Sequence, residues 1–350
     1  MELRFAVARI VTVSVLCIAV FFGGGAQILY PKDSFVSSVL PEAPPSSVKE
    51  DTEIKLPSAP QTETQNETND APQSTEGESV PTASSGTVLG KVVERFISPY
   101  TANTSYNNVY LKNNTSLKID LKEFLNAPLG FKVEKNGAPQ VLIMHTHTTE
   151  TFLNESRDTY TDTDLSRTTD TNKNMAFLGK IVADKLNGAG IVTLHDTTLH
   201  DYPSYSGSYT RSAKTVSSYL KKYPDIKIVL DLHRDAIAQN DTDKVKLTAD
   251  INGKKAAQIM LVMGAQAGSV KNFTNWKENL KLAVKLQQNL ETMYPSLARS
   301  ISLVAKNYNG SLSTGSMLIE MGTDANSIEE VTYSAELLSN ALINTLNNLG

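Results

Sequence analysis

The chain has 350 residues, 40% hydrophobic and 20% charged, with a formal net charge of -4. That is enough apolar material for one large domain or two modest ones, and the charge balance argues against a general basic nucleic-acid binder. The one cysteine, Cys17, excludes a disulfide framework, a cysteine-held zinc and an iron–sulfur cluster, so any metal falls to carboxylates and to the five histidines, His145, His147, His195, His200 and His233.

Residues 1–9 carry Arg4 and Arg9 and read as a short cytoplasmic tail. Residues 10–30 form an uncharged run rich in Val, Ile, Leu and Phe. As a helix rising ~1.5 Å per residue, a run of that length spans the ~30 Å hydrocarbon core. Arginines before it and an acidic stretch after it predict a single-pass anchor in the cell membrane, with everything from residue 31 outside the cytoplasm. A cleaved signal peptide is the rival reading, because Gly24 and Ala26 have cleavage-like spacing; either way the body is exported.

Residues 31–86 hold ten acidic groups, three lysines and eight of the 14 prolines. With Phe35 as their lone aromatic they cannot bury enough apolar area to offset chain entropy, which predicts a disordered acidic tether. The remaining body, 87–350, is slightly basic. Within it, 87–140 is a mixed lead-in: 88–97 reads as a short helix, and 110–125 as a hairpin or a strand and helix.

From residue 141 the pattern sharpens into the main domain, 141–350. Strands are predicted at 141–145, 191–194, 226–232, 301–304 and 317–320. Helices are predicted at 174–186, 210–223, 276–293 and 327–346. Asn252-Gly253 predicts a hairpin between 245–251 and 258–263. Strands alternating with helices give an α/β fold, a mostly parallel sheet flanked by helices with one hairpin excursion.

Chemistry gathers at the predicted strand ends. His145-Thr146-His147-Thr148-Thr149-Glu150 follows the first strand, Asp231-Leu232-His233-Arg234-Asp235 ends the central one, and Glu320 ends the last. In an open α/β sheet these ends share one edge. His147, Glu150 and His233 make a two-imidazole, one-carboxylate set that leaves a fourth tetrahedral position on Zn2+ for water. Such a metal brings water's pKa to ~7 and polarises a carbonyl, and hydrolysis then needs a proton-carrying base, for which Glu320 is the candidate. His145, two positions from His147, points the same way if the chain is extended, as a ligand or as support behind one. The stretch from Tyr202 to Arg211 is an aromatic loop whose Tyr205 and Arg211 suit sugar stacking and carboxylate recognition; a packed surface loop is the competing reading. His195 and His200 lie on a polar connection and read as structural.

The segments HTHTTE, HDTTLHDYPSYSGSYTRS, DLHRDA and LIEMGTDANSIEE, in this order over roughly 140–335, resemble the stage II sporulation protein P family. These are membrane-anchored peptidoglycan hydrolases of endospore formers, related to zinc-dependent N-acetylmuramoyl-L-alanine amidases. The resemblance implies a zinc amidase/exopeptidase-like fold and cleavage of the muramoyl–L-alanine amide and of peptide cross-links. It implies the septal mother-cell membrane facing the forespore during engulfment as the setting, and peptidoglycan and sporulation proteins D and M as partners, with no nucleic acid. His147, His233 and Glu320 match the amidase positions for two ligands and the catalytic Glu. Where typical amidases carry a Glu at the start of the first long helix, this chain has Asn172-Lys173-Asn174, so Glu150 has to replace it. The alternatives are a zinc carboxypeptidase-like enzyme using Arg211 or Arg234 for a terminal carboxylate, a metal phosphoesterase, and a non-catalytic wall-binding scaffold.

Overall fold

The computed structural model describes residues 86–349, together with two short strands, β1 (Ala19–Val20) and β2 (Gln27–Ile28), paired antiparallel. The predicted tail 1–9, the rest of the predicted span 10–30 and nearly all of the predicted tether 31–86 lie outside the described residues. Among the described residues no helix is long and apolar enough to cross a membrane.

The body runs β3 (Val88–Arg95), β4 (Thr104–Tyr106), β5 (Val109–Asn113), α1 (Leu121–Asn126), β6 (Val141–Met144), β7 (Thr159–Thr161), α2 (Met175–Gly188) and β8 (Thr193–His195). It continues with α3 (Ser208–Lys222), β9 (Ile228–Asp235), β10 (Lys244–Ile251), β11 (Lys254–Ala257), β12 (Ile259–Gly264), α4 (Trp276–Met293), β13 (Ile301–Val304), β14 (Gly315–Thr323) and α5 (Ile328–Asn347). Eight strands form the main sheet in the order β4-β5-β13-β12-β14-β9-β6-β8. Its neighbours are parallel except β4/β5 and β12/β14, in line with the predicted mostly parallel α/β architecture. The central strand β9 is buried along almost its whole length, as a parallel strand covered on both faces must be.

Local chemistry sets several boundaries. The Asn174 side chain caps α2 by accepting from Ala176 N. Ser327 and Glu330 form a reciprocal capping box at the start of α5. Asn252 and Gly253, with φ of 51° and 79°, turn β10 into β11, as a two-residue hairpin loop requires.

The structure departs from the predicted elements in three places. Residues 88–97 are not a helix: β3 pairs parallel with β10 and antiparallel with β7 in a second sheet, β11-β10-β3-β7. Gly90 allows that pairing, since a Cβ there would collide with the carbonyl of Thr242. The hairpin partner of β10 is β11; the run 258–263 becomes β12 in the main sheet instead. The lead-in 87–140 is woven into both sheets: Val109 and Leu111 on β5 are fully buried at the main sheet, next to β13. Apart from the β10–β11 hairpin, these partners lie far apart in sequence, so periodicity alone could not select them.

Two apolar layers cover the main sheet. Val141, Ile143, Ile228, Leu230 and Leu232 share one core with Leu178 and Val182 of α2 and with α4 and α5. Leu142, Met144 and Val229 point the other way, onto Val216 of α3. This alternation decides where each functional side chain goes.

Candidate active site

His145 continues the Val141–Ile143 face and enters the α2 side. It is fully buried, its Nδ1 lies 3.1 Å from the Leu232 carbonyl, and its Nε2 lies 2.9 Å from His195 Nε2. A carbonyl only accepts, so Nδ1 carries the proton and His195 donates to Nε2. Burial, with His195 beside it, holds the His145 imidazolium down at about 3, so the ring is neutral. His145 thus turns to the α2 side, between Leu232 O and His195, and does not lie beside His147 as an extended chain would have it. It braces the backbone one residue ahead of His233. The reason is a turn: Thr146 N and Oγ1 donate to the Asp231 carboxylate at 2.8 and 2.7 Å, and Thr148 Oγ1 donates to His145 O at 2.9 Å. The chain is no longer extended after His145, and His147 swings to the α3 side.

The neighbouring Gly179 on α2 makes room for the imidazole pair. A Cβ there would lie 2.5 Å from His145 Nε2 and closer still to His195 Nε2. Gly179→Ala should thus destabilise the fold by about 1–3 kcal/mol despite its better helix propensity, read as a lowered unfolding midpoint. A midpoint equal to wild type would show that the pair yields at no cost.

On the α3 side the predicted residues converge. Asp231 and His233 share the face of β9 on which Val229 packs toward α3, and Glu320 on β14 is the direct parallel partner of His233. The His147 and His233 rings meet edge to face with centroids 5.1 Å apart. His233 Nδ1 lies 3.6 Å from Glu150 Oε2, and its Nε2 lies 2.9 Å from Asp231 Oδ1. The Asp231 contact is an ion-pair approach without hydrogen-bond alignment, since His233 Nε2 is buried with no hydrogen-bond partner. His147 Nδ1 and Glu320 Oε2 are likewise buried and unpartnered.

The electrostatics separate the two imidazoles. Burial, with His233 and Arg167 nearby, lowers His147 to about 4. Burial alone would lower His233 as well, but Asp231, Glu150 and Glu320 together raise it to about 9. Burial and then Asp235 push the Glu320 carboxyl up, against the opposing pull of His233 and Arg299. A carboxyl in this setting takes up a proton more readily than an ordinary glutamate.

Several participants lay outside the predicted set. Asp231 pins the His147 turn and faces His233; the D-x-H spacing on a strand was a readable signal for it. Arg167 joins Asp201 and Glu150, the latter at 3.3 Å, and its guanidinium lies 4.9 Å from the Tyr205 ring centre. Asp201 also accepts from Thr149 N at 3.1 Å and lies 4.0 Å from His147 Nδ1. Arg167 and Asp201 sit in irregular polar segments, where no periodicity marks them.

Tyr205 is 59% exposed and stacks on His147, with centroids 4.5 Å apart and planes at 13°. Arg211 is spent differently from the prediction. Its guanidinium donates to the carbonyls of His200 at 2.6 Å, Ser206 at 3.0 Å and Ser204, bracing the loop that carries Tyr205. Arg234 is similarly occupied by the carbonyls of Thr151 and Ser166. Both arginines weighed for a terminal carboxylate are thus engaged with backbone. His200 is buried between His145 O and Thr215 Oγ1, a structural place.

Among the described residues, no group of three or more His, Cys, Asp or Glu stands assembled to hold a metal ion. The donors nonetheless fit a divalent cation in kind: His147 Nδ1 is buried without a partner, and the His233 ring, with Nε2 toward Asp231, turns its Nδ1 to the buried carboxylate of Glu150. Asn174, at the start of α2, is occupied by its cap and by donating to Thr168 O at 3.1 Å, so no carboxylate comes from that position.

Residues 29–343 match the family described as stage II sporulation protein P. A curated relative so described, from Bacillus subtilis (strain 168), is 29% identical over 206 residues. The match covers 56% of this chain and 48% of the relative, so the chain spans about half the length of the relative it matches. Among solved structures, an N-acetylmuramoyl-L-alanine amidase from Clostridium difficile 630 has a TM-score of 0.38 and 15% identity, covering 61% of this chain and 100% of that one. The CwlD amidase from Clostridioides difficile, solved with the GerS lipoprotein, has a TM-score of 0.36 and 13% identity, covering 60% and 98%. Likeness at this level transfers no residue's role.

Proposed function

The chain belongs to the stage II sporulation protein P family, and on that premise we propose that its body is a zinc-dependent peptidoglycan hydrolase that cuts the N-acetylmuramoyl-L-alanine amide and peptide cross-links during endospore engulfment. The observation that carries this reading is the convergence of three separate strand ends: His147 and Glu150 after β6, His233 on β9 and Glu320 on β14. His147, Glu150 and His233 are the residues to hold the zinc. Bound there, zinc supplies an acidified water and a polarised carbonyl.

The chain's own groups do the rest. Glu320, with one oxygen buried and unpartnered, takes the proton of the attacking water and returns it to the leaving amine. Asp231 faces His233 and holds the turn that presents His147, the support a ligand imidazole needs. The exposed ring of Tyr205 offers a stacking surface for the sugar. A single N-terminal span, an extended acidic tether and partnership with sporulation proteins D and M complete the proposal, with the body outside the cytoplasm at the sporulation septum.

The test is product analysis. The full chain in detergent, supplied with zinc, is incubated with intact peptidoglycan and the released fragments are identified by mass spectrometry. Stem peptides with a free L-alanine amino terminus are expected, along with loss of cross-linked dimers. No product from intact or pre-digested wall, with zinc bound, would replace the enzyme by a wall-binding scaffold.

A further inference from the structure

Within that hydrolase reading, on which this inference rests, we propose that Tyr209 is a further catalytic residue: its phenol donates a hydrogen bond to the carbonyl oxygen that gains negative charge as the amide is attacked.

The carboxylates of the pocket, Glu150, Asp231, Asp201 and Glu320, are acceptors when ionised, whereas a tetrahedral oxyanion needs donors. Arg167 is committed to Asp201 and Glu150. Tyr205 lies flat on His147 at the outer rim. Tyr209, in the first turn of α3, occupies the inner position. Its ring is edge-on to His147 at 5.7 Å and tilted against Tyr308 at 5.8 Å. Tyr209 thus packs on the His147 ring, which itself meets His233, the strand partner of the candidate base Glu320. A phenol carries its proton at neutral pH, so it is available as a donor.

The position is built, not incidental. Asn309 Nδ2 donates to the Tyr209 carbonyl at 2.9 Å and to Ser212 Oγ at 3.0 Å. Ser212 Oγ in turn lies 2.8 Å from Thr146 Oγ1, which holds Asp231. The first turn of α3 is therefore tied through one chain of hydrogen bonds to the turn carrying His147. Tyr308 and Asn309 both take left-handed backbone, φ 46° and 58°, which is strained for a tyrosine. The fold sustains that strain where it sets the Tyr308 ring against Tyr209.

The step balances as ordinary amide hydrolysis. The water oxygen bonds to the carbonyl carbon, its proton passes to Glu320, and the carbonyl π pair moves onto the oxygen that Tyr209 contacts. Collapse breaks the C–N bond, and the proton on Glu320 goes to the leaving nitrogen. Tyr209 keeps its own proton throughout.

The experiment compares the zinc-loaded full chain with Tyr209→Phe on a defined disaccharide-pentapeptide, measuring kcat, KM, bound zinc and the unfolding midpoint. Losing one such donor lowers kcat by ~10²-fold, with KM, zinc and midpoint near wild type. An active wild type whose kcat is matched by Tyr209→Phe overturns this inference alone, as does a loss confined to KM or traced to lost zinc. A wild type inert on the fragment overturns the hydrolase reading and this inference with it.

Discussion

Glu320→Gln should reduce hydrolysis of peptidoglycan fragments by ~10³-fold or more while leaving bound zinc and the fold intact. The amide keeps the volume of the carboxylate but cannot accept and return a proton, and positioned proton transfer typically contributes 10²–10⁴-fold. The site does not depend on this charge for its architecture: Glu320 Oε2 is buried without a hydrogen-bond partner, and its carboxyl is pushed upward by burial and Asp235. Removing a charge that the fold only tolerates should leave the unfolding midpoint equal to wild type or raise it. The same raised carboxyl places the acid limb of the kcat/KM profile above the ordinary glutamate range. A base works only when ionised, so activity should rise with pH through that limb, and Glu320→Gln should erase it. Near-normal turnover in this variant would remove Glu320 from the chemistry.

His233→Ala should lose zinc, activity and stability together. Three effects share this ring. Its nitrogens are the best-enclosed candidate donors, with Nδ1 3.6 Å from Glu150 Oε2. In the metal-free protein it is also the counter-charge of Asp231: burial would raise that carboxyl, but His233 and the Thr146 hydrogen bonds hold it low. Taking the imidazole away leaves Asp231 buried with Thr146 alone, and breaking a buried pair costs about 3–5 kcal/mol. Because Asp231 also fixes the turn that presents His147, the second imidazole should lose its place too. Metal analysis and calorimetry on the purified variant check this. Stoichiometric zinc in His233→Ala would show that the metal sits elsewhere, and an unchanged midpoint would show that Asp231 is not balanced by this ring.

The long helices were legible because each buries one regular stripe: 276–293 and the strand at 301–304 coincide with α4 and β13, and 327–346 falls within one residue of α5. The strand ends bearing His147, His233 and Glu320 were legible for a similar reason, since apolar runs that stop at polar residues mark the sheet edge. Short segments were harder. Residues 88–95 carry no strong period, and their strand character comes from β10, which lies far along the chain. Arg167 and Asp201 reach the site from polar connections, and Arg211 is drawn into bracing a loop by carbonyls whose positions depend on the folded turn.

The amino-acid sequence by itself therefore determined the α/β alternation, the strand ends that carry chemistry and the residue types that suit hydrolysis. Only the tertiary structure decided which of those residues meet. His145 and His147 look equivalent in an extended chain, yet one faces α2 and the other the site, because Asp231, 85 positions from Thr146, turns the backbone between them. Strand alternation is a local rule that holds while the backbone stays extended, and the side chain that ends it here arrives from another strand.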